Sequence, residues 1–160
     1  MKFIFSLLIV FLSFNSEAQK DPLYSVKNWK IEDYEQFITN VKANIVVVNF
    51  WATFCRPCLR ELPDIIRICK KENIMLMLVS VDTRSLFPRK LNLFVKQRNW
   101  NTPVAWLNET NADYFCPRVD AKWSGSIPAT IIVNKKNGKR KFVEGDMNAK
   151  EFSKALEEVL

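Results

Sequence analysis

The chain has 160 residues, 48% of them hydrophobic and 26% charged, and a formal net charge of +7. This length suits one domain with a core of its own, and the balance is that of a globular chain, not a disordered one. Histidine is absent, which excludes His-activated nucleophiles and His metal ligands from within the chain.

The first 18 residues read as a leader. Lys2 supplies a short positive region, Phe3 to Phe14 is almost wholly apolar, and Ser16-Glu17-Ala18 places small residues before a cut near Ala18/Gln19. The expectation is a signal peptide over 1–18 and a single domain over 19–160, periplasmic or otherwise extracytoplasmic. The apolar run falls short of the roughly 20 residues a membrane span needs. No cysteine follows the cut, which argues against a lipid anchor. The alternative is a membrane anchor formed by an uncleaved N-terminus.

Beyond the leader, an entry segment over 21–29 carries a short edge strand around Leu23 to Val26. Tyr34, Phe37, Ile38 and Val41 recur at helical spacing and predict a helix over 31–42. Ile45 to Phe50 is a β-branched and apolar run suited to a strand covered on both faces. Leu62, Ile65, Ile66 and Cys69 then fall on one helical face, with Pro63 expected to kink that helix. Ile74 to Val81 is a second buried strand, making a right-handed βαβ unit with the first. Leu86 to Trp100 predicts a helix with Pro88 near its start.

Val104 to Leu107 is a candidate strand, and 108–118 a loop or a single helical turn. Ala129 to Val133 and Lys141 to Glu144 form a hairpin turning at Asn137-Gly138. Asn148 and Glu151 make a capping box for a last helix that buries Phe152, Ala155, Leu156 and Val159. No repeat, low-complexity tract or second domain is seen. The basic knot at Lys135, Lys136, Lys139, Arg140 and Lys141 reads as a solvated turn, so no nucleic-acid partner is expected.

The chemistry concentrates where the first buried strand hands over to its helix. Cys55 and Cys58 stand there, at a helix N-terminus whose unpaired N–H groups and dipole favour a thiolate. Two cysteines separated by two residues can close a disulfide, so the pair is equipped for thiol–disulfide exchange. Cys55, just before the helix, is the candidate nucleophile. Cys58, one turn in, is the candidate resolving thiol. A structural disulfide is the plain alternative. Leu59 after Cys58 excludes a haem-attachment motif, and Cys69 and Cys116 lack a second metal-type spacing, so no metal is expected.

VNFWATFCRPCLRELP, ending at Pro63, and WSGSIPATIIV, from Trp123 to Val133, resemble the TlpA/ResA-like extracytoplasmic thiol–disulfide oxidoreductases of the thioredoxin superfamily. The resemblance covers the chain from about Ile31 onward. It implies an α/β thioredoxin-like fold, a central mixed β-sheet flanked by helices. It also implies a protein-disulfide reductase whose only redox group is the Cys55–Cys58 disulfide. Electrons would come from a membrane thiol donor and pass to disulfides of exported proteins, apocytochrome c among them. A monomer is expected.

Within that frame Glu61, three residues after Cys58, would share its helix face and take its proton. Thioredoxin itself has an Asp where this chain has Asn49. Arg56 and Pro57 fill the dipeptide between the thiols and would tune them. Arg56 favours the thiolate, and a stabilised reduced form is a stronger oxidant, which opens a disulfide oxidase or isomerase as the alternative direction.

Pro128 is the expected cis-proline, turning Ile127 toward an extended substrate. Trp51 and Phe54 would shape the rim, or serve as core aromatics. Cys69 is expected buried and inert, and Cys116 free or paired with it. A peroxiredoxin-like enzyme would want Thr or Ser three residues and Pro seven residues before its nucleophile, where Ala52 and Val48 stand. A non-catalytic module that binds peptides on the Pro128 face is the remaining alternative, against which both cysteines argue.

Overall fold

The computed structural model describes residues 25–160. The expected leader over 1–18 lies outside them. A six-stranded sheet runs in the order β1-β4-β3-β2-β5-β6. Its strands are β1 (Lys27–Trp29), β2 (Ile45–Trp51), β3 (Met75–Ser80), β4 (Val104–Leu107), β5 (Ala129–Asn134) and β6 (Arg140–Glu144). The first four are parallel to their neighbours, whereas β5 pairs antiparallel with β2 and β6 with β5. This is the mixed thioredoxin-like arrangement that the resemblance implies.

Among the described residues five helices cover the sheet: α1 (Ile31–Asn40), α2 (Arg56–Lys71), α3 (Arg89–Arg98), α4 (Ala112–Val119) and α5 (Ala149–Glu157). Because side chains alternate along a strand, β2 feeds two cores at once. Val47 and Trp51 join Leu62, Ile65, Leu91 and Phe152 on the face covered by α2, α3 and α5. Val46, Val48 and Phe50 join Ile31, Tyr34, Phe115 and Trp123 on the face covered by α1 and α4. Full burial of each such side chain contributes about 1.5–3 kcal/mol, and β2 is the strand that both layers share.

The first strand among the described residues is Lys27–Trp29. Of the expected Leu23–Val26 strand, residues 23–24 lie outside the described residues and Val26 is in no strand. Lys27 pairs with Ala105 and Trp29 with Leu107, so the partner strand sets the register. Helix α3 starts at Arg89, not Leu86 as expected, because a 3₁₀ turn over Arg84–Leu86 and a cis Phe87–Pro88 peptide precede it. Phe87 stacks on Trp106 with ring centroids 4.4 Å apart, and that contact draws the chain away from a continuous helix.

Where the sequence predicts a loop or a single helical turn over 108–118, Ala112–Val119 form a two-turn helix. Asn111 caps it by accepting from the Asp113 N–H at 3.0 Å, and Phe115, Cys116 and Val119 are buried. Pro117 sits in its last turn. The hairpin loop is four residues long, since the Asn134 N–H donates to the Lys139 carbonyl at 2.9 Å. Gly138, at φ +75°, supplies its left-handed residue. The Asn148–Glu151 capping box is present at the start of α5.

Candidate active site: a disulfide at the head of α2

Cys55 is the N-cap of α2, and its Sγ accepts from the Cys58 N–H at 3.3 Å. Pro57, with no N–H to leave unpaired, stands in the first turn. Cys55 and Cys58 are joined in a disulfide, with Cα atoms 5.3 Å apart. Cys55 is 6% exposed and Cys58 fully buried, so an incoming thiolate can reach only the first sulfur. The Cys58 N–H on Cys55 Sγ, together with the dipole of α2, would stabilise the Cys55 thiolate once the disulfide opens.

The Ile127–Pro128 peptide is cis. Cys55 Sγ lies 3.8 Å from the Ile127 carbonyl oxygen. The Trp123–Ile127 segment that delivers this carbonyl is held from within, because the Trp123 indole N–H donates to the Ser126 carbonyl at 2.8 Å. It is also held from β6, where Glu144 accepts from the Ser126 N–H at 3.0 Å and the Ser124 N–H at 3.2 Å.

Behind the disulfide, Glu61 is 4% exposed. Its Oε1 accepts from Asn49 Nδ2 at 2.7 Å, and its Oε2 from the Met147 N–H at 2.8 Å. Asn49 Nδ2 also donates to Thr130 Oγ1 at 2.8 Å. Burial pushes the Glu61 carboxyl up to about 6, against the pull of its two hydrogen bonds. A carboxyl with that setting can hold or release a proton near neutrality. Helical spacing places it on the face of Cys58.

The remaining predicted residues divide sharply. Phe54 is 68% exposed, beside Cys55. Arg56 is exposed too and pairs with no carboxylate among the described residues. Trp51, by contrast, is fully buried, packed against Phe94 and Trp100 at 5.9 and 5.0 Å between centroids. It is a core residue with no surface to offer a substrate, because β2 alternation turns it under α2. A cavity of about 680 Å³ opens near Asn44, Ile74 and Thr102. That is the opposite end of the sheet from the disulfide.

Sequence reasoning missed Asp82 and Thr130. Asp82 stands two residues past the end of β3, at the C-terminal edge of a parallel strand, where α/β sheets gather their functional groups. Thr130, like Asn49, is a polar interruption of an apolar strand, and a fully buried polar side chain requires partners.

Comparison with known proteins agrees with this geometry. The AhpC/TSA family model matches residues 18–139. The thiol-disulfide oxidoreductase ResA of Geobacillus thermodenitrificans is 24% identical over 132 residues, covering 81% of this chain and 71% of that protein. The thioredoxin-like protein YneN of Bacillus subtilis is 27% identical over 144 residues, 88% of this chain and 79% of that protein. Among solved structures, a thioredoxin-related protein from Neisseria meningitidis serogroup B aligns with a TM-score of 0.62. It is 26% identical and covers 76% of this chain and 89% of its own.

Proposed function

The chain belongs to the AhpC/TSA family of thioredoxin-like proteins, and from that premise we propose that it is an exported thiol–disulfide oxidoreductase working as a protein-disulfide reductase. The observation that carries the reading is the Cys55–Cys58 disulfide at the head of α2, with Cys55 Sγ 3.8 Å from the carbonyl that precedes cis-Pro128.

In the reduced protein the Cys55 thiolate attacks a substrate disulfide, forming a mixed disulfide and expelling one substrate thiolate. Cys58 gives its proton to Glu61, and its thiolate then attacks Cys55 Sγ. The second substrate thiolate leaves, and the internal disulfide reforms. Two electrons have passed to the substrate, and its two thiolates take up one proton from Glu61 and one from solvent. Ile127 and Pro128 hold the substrate extended, and Phe54 offers an apolar contact beside the attacked sulfur.

Export is supported by the apolar leader and by a family match that starts at residue 18, where the leader ends. The substrates are disulfides of exported proteins, apocytochrome c among them, and the reducing equivalents come from a membrane thiol donor. The dithiol needs no other cofactor, and the protein works as a monomer. A peroxide-reducing role is not supported, since Ala52 and Val48 stand where its residues would be. The exposed charge of Arg56 favours oxidase or isomerase work as the second reading. Insulin reduction with dithiothreitol tests the exchange itself: acceleration over reagent alone is expected, and no acceleration leaves a peptide-binding module in its place.

A further inference from the structure

We propose that Asp82 is a positioning and redox-tuning residue of the dithiol: its buried carboxylate clamps the turn that carries Cys55 and sets an unneutralised negative charge beside it. The inference rests on the exchange reading above.

Asp82 stands two residues beyond the end of β3 and is 4% exposed. The Thr53 N–H donates to both its oxygens, at 3.1 and 3.0 Å, and Thr53 Oγ1 to Oδ1 at 2.7 Å. Ser80 Oγ donates to Oδ2 at 2.7 Å. The Asp82 backbone is fixed as well, because the Trp106 indole N–H donates to its carbonyl at 2.7 Å. Thr53 is two residues before Cys55, and the Cys55 N–H donates to the Ala52 carbonyl at 3.1 Å. The β2–β3 ladder ends with the Val81 N–H on the Trp51 carbonyl at 2.8 Å. The Asp82 carboxylate extends that seam beyond the sheet, to the residues that place the nucleophile.

No lysine or arginine pairs with Asp82 among the described residues. Its oxygens are satisfied by neutral dipoles alone, so the charge stays in the site. Such a charge disfavours the Cys55 thiolate. A less stable reduced form makes the pair a stronger reductant, which opposes the effect of the Arg56 charge.

The test equilibrates the purified wild type, Asp82→Asn, Thr53→Val and Thr53→Ser with dithiothreitol. Protein disulfide plus reduced reagent gives protein dithiol plus oxidised reagent, two electrons and two protons moving to the protein. Asp82→Asn should raise that equilibrium constant about tenfold and move the thiolate absorbance of Cys55 to lower pH. Thr53→Val keeps the charge, so its constant should stay within about twofold while attack by Cys55 slows about tenfold, and Thr53→Ser should restore the rate. A folded Asp82→Asn protein with an unchanged constant overturns the tuning role. Wild-type attack rates in Thr53→Val overturn the positioning role of the Thr53 hydroxyl on Asp82, and that arm remains readable should Asp82→Asn not fold. A wild type that never exchanges with the reagent would instead overturn the exchange reading itself.

Discussion

Asn49 Nδ2 lies 2.7 Å from Glu61 Oε1 and donates to it, tying the one buried acid of helix α2 to the middle of the central strand. An Asp at position 49 would set a second carboxylate against the first. The amide gives a donor instead, so the site titrates as a single acid.

That acid has a setting of about 6 because burial disfavours its charge. Release of the substrate by Cys58 should therefore quicken as pH rises through about 6, and Glu61→Gln should lack this step. Stability moves the other way. The folded value is raised above the unfolded 4.5, so Glu61 contributes stability that is full below about 4.5 and lost as pH passes about 6, roughly 2 kcal/mol in all. Glu61→Gln should flatten that decline. The variant can fold, since a flip of the Asn49 amide presents Oδ1, which has no partner in the wild type, to the Gln amide. Denaturant melts and single-turnover kinetics from pH 4 to 8 measure both, and superimposable wild-type and variant profiles would remove Glu61 from the mechanism.

Cys69 and Cys116 are both buried and free, and they belong to cores on opposite faces of the sheet. Pairing between them, one of the states open in the sequence, is therefore ruled out by β-strands lying in between. Burial pushes the Cys69 thiol up to about 12 and Cys116 to about 11, so neither is a thiolate at neutral pH. A thiol reagent should find none reactive in the oxidised native protein and two after denaturation. Rapid labelling of the native oxidised form would contradict this.

Phe54 and Trp51 should separate on substitution. Phe54→Ala removes an exposed contact, so it should raise KM for a protein disulfide several-fold, spare a small disulfide reagent, and cost little stability. Trp51→Ala should cost about 3–5 kcal/mol through the cavity left against Phe94 and Trp100. Trp51→Phe should cost far less, as the indole N–H has no partner to lose. Equal KM effects from Phe54→Ala and Trp51→Phe would mean that the core ring also meets the substrate.

The strands and helices that carry long apolar runs were legible from periodicity: β2, α2, β3 and α5 stand within a few residues of expectation. The Cys55–Cys58 disulfide and the cis peptide at Pro128 were legible because a motif fixes local geometry. Helix α4 was not, since Pro117 reads as a breaker and its Asn111 cap becomes visible only once Phe115 and Val119 have a sheet to cover. Trp51 was ambiguous for a different reason. Two residues of strand phase decide between rim and core, and no local signal carries that phase past the end of β2. The Asp82–Thr53 clamp spans 29 positions in sequence, and only the β2–β3 register brings it together.

Burial sets the order of attack, and trapping tests it. Cys58 is fully enclosed, whereas Cys55 retains a small exposed surface and its Sγ lies 3.8 Å from the Ile127 carbonyl. A substrate disulfide can therefore meet only Cys55, while Cys58 is placed to strike the Cys55 sulfur from beneath, within the first turn of α2. With Cys58→Ala the second strike is lost, and the mixed disulfide on Cys55 has no internal route of release. Expressed in its source cell, this variant should accumulate covalent adducts that disappear on reduction. Cys55→Ala should give none, because the remaining thiol is out of reach. Adducts of apocytochromes or of a membrane thiol protein would support the reductase direction, whereas many unrelated exported proteins would favour an oxidase or isomerase. Trapping by Cys55→Ala alone would reverse the two roles. Absence of adducts from both variants would count against covalent exchange and leave the Pro128 face as a peptide-binding surface.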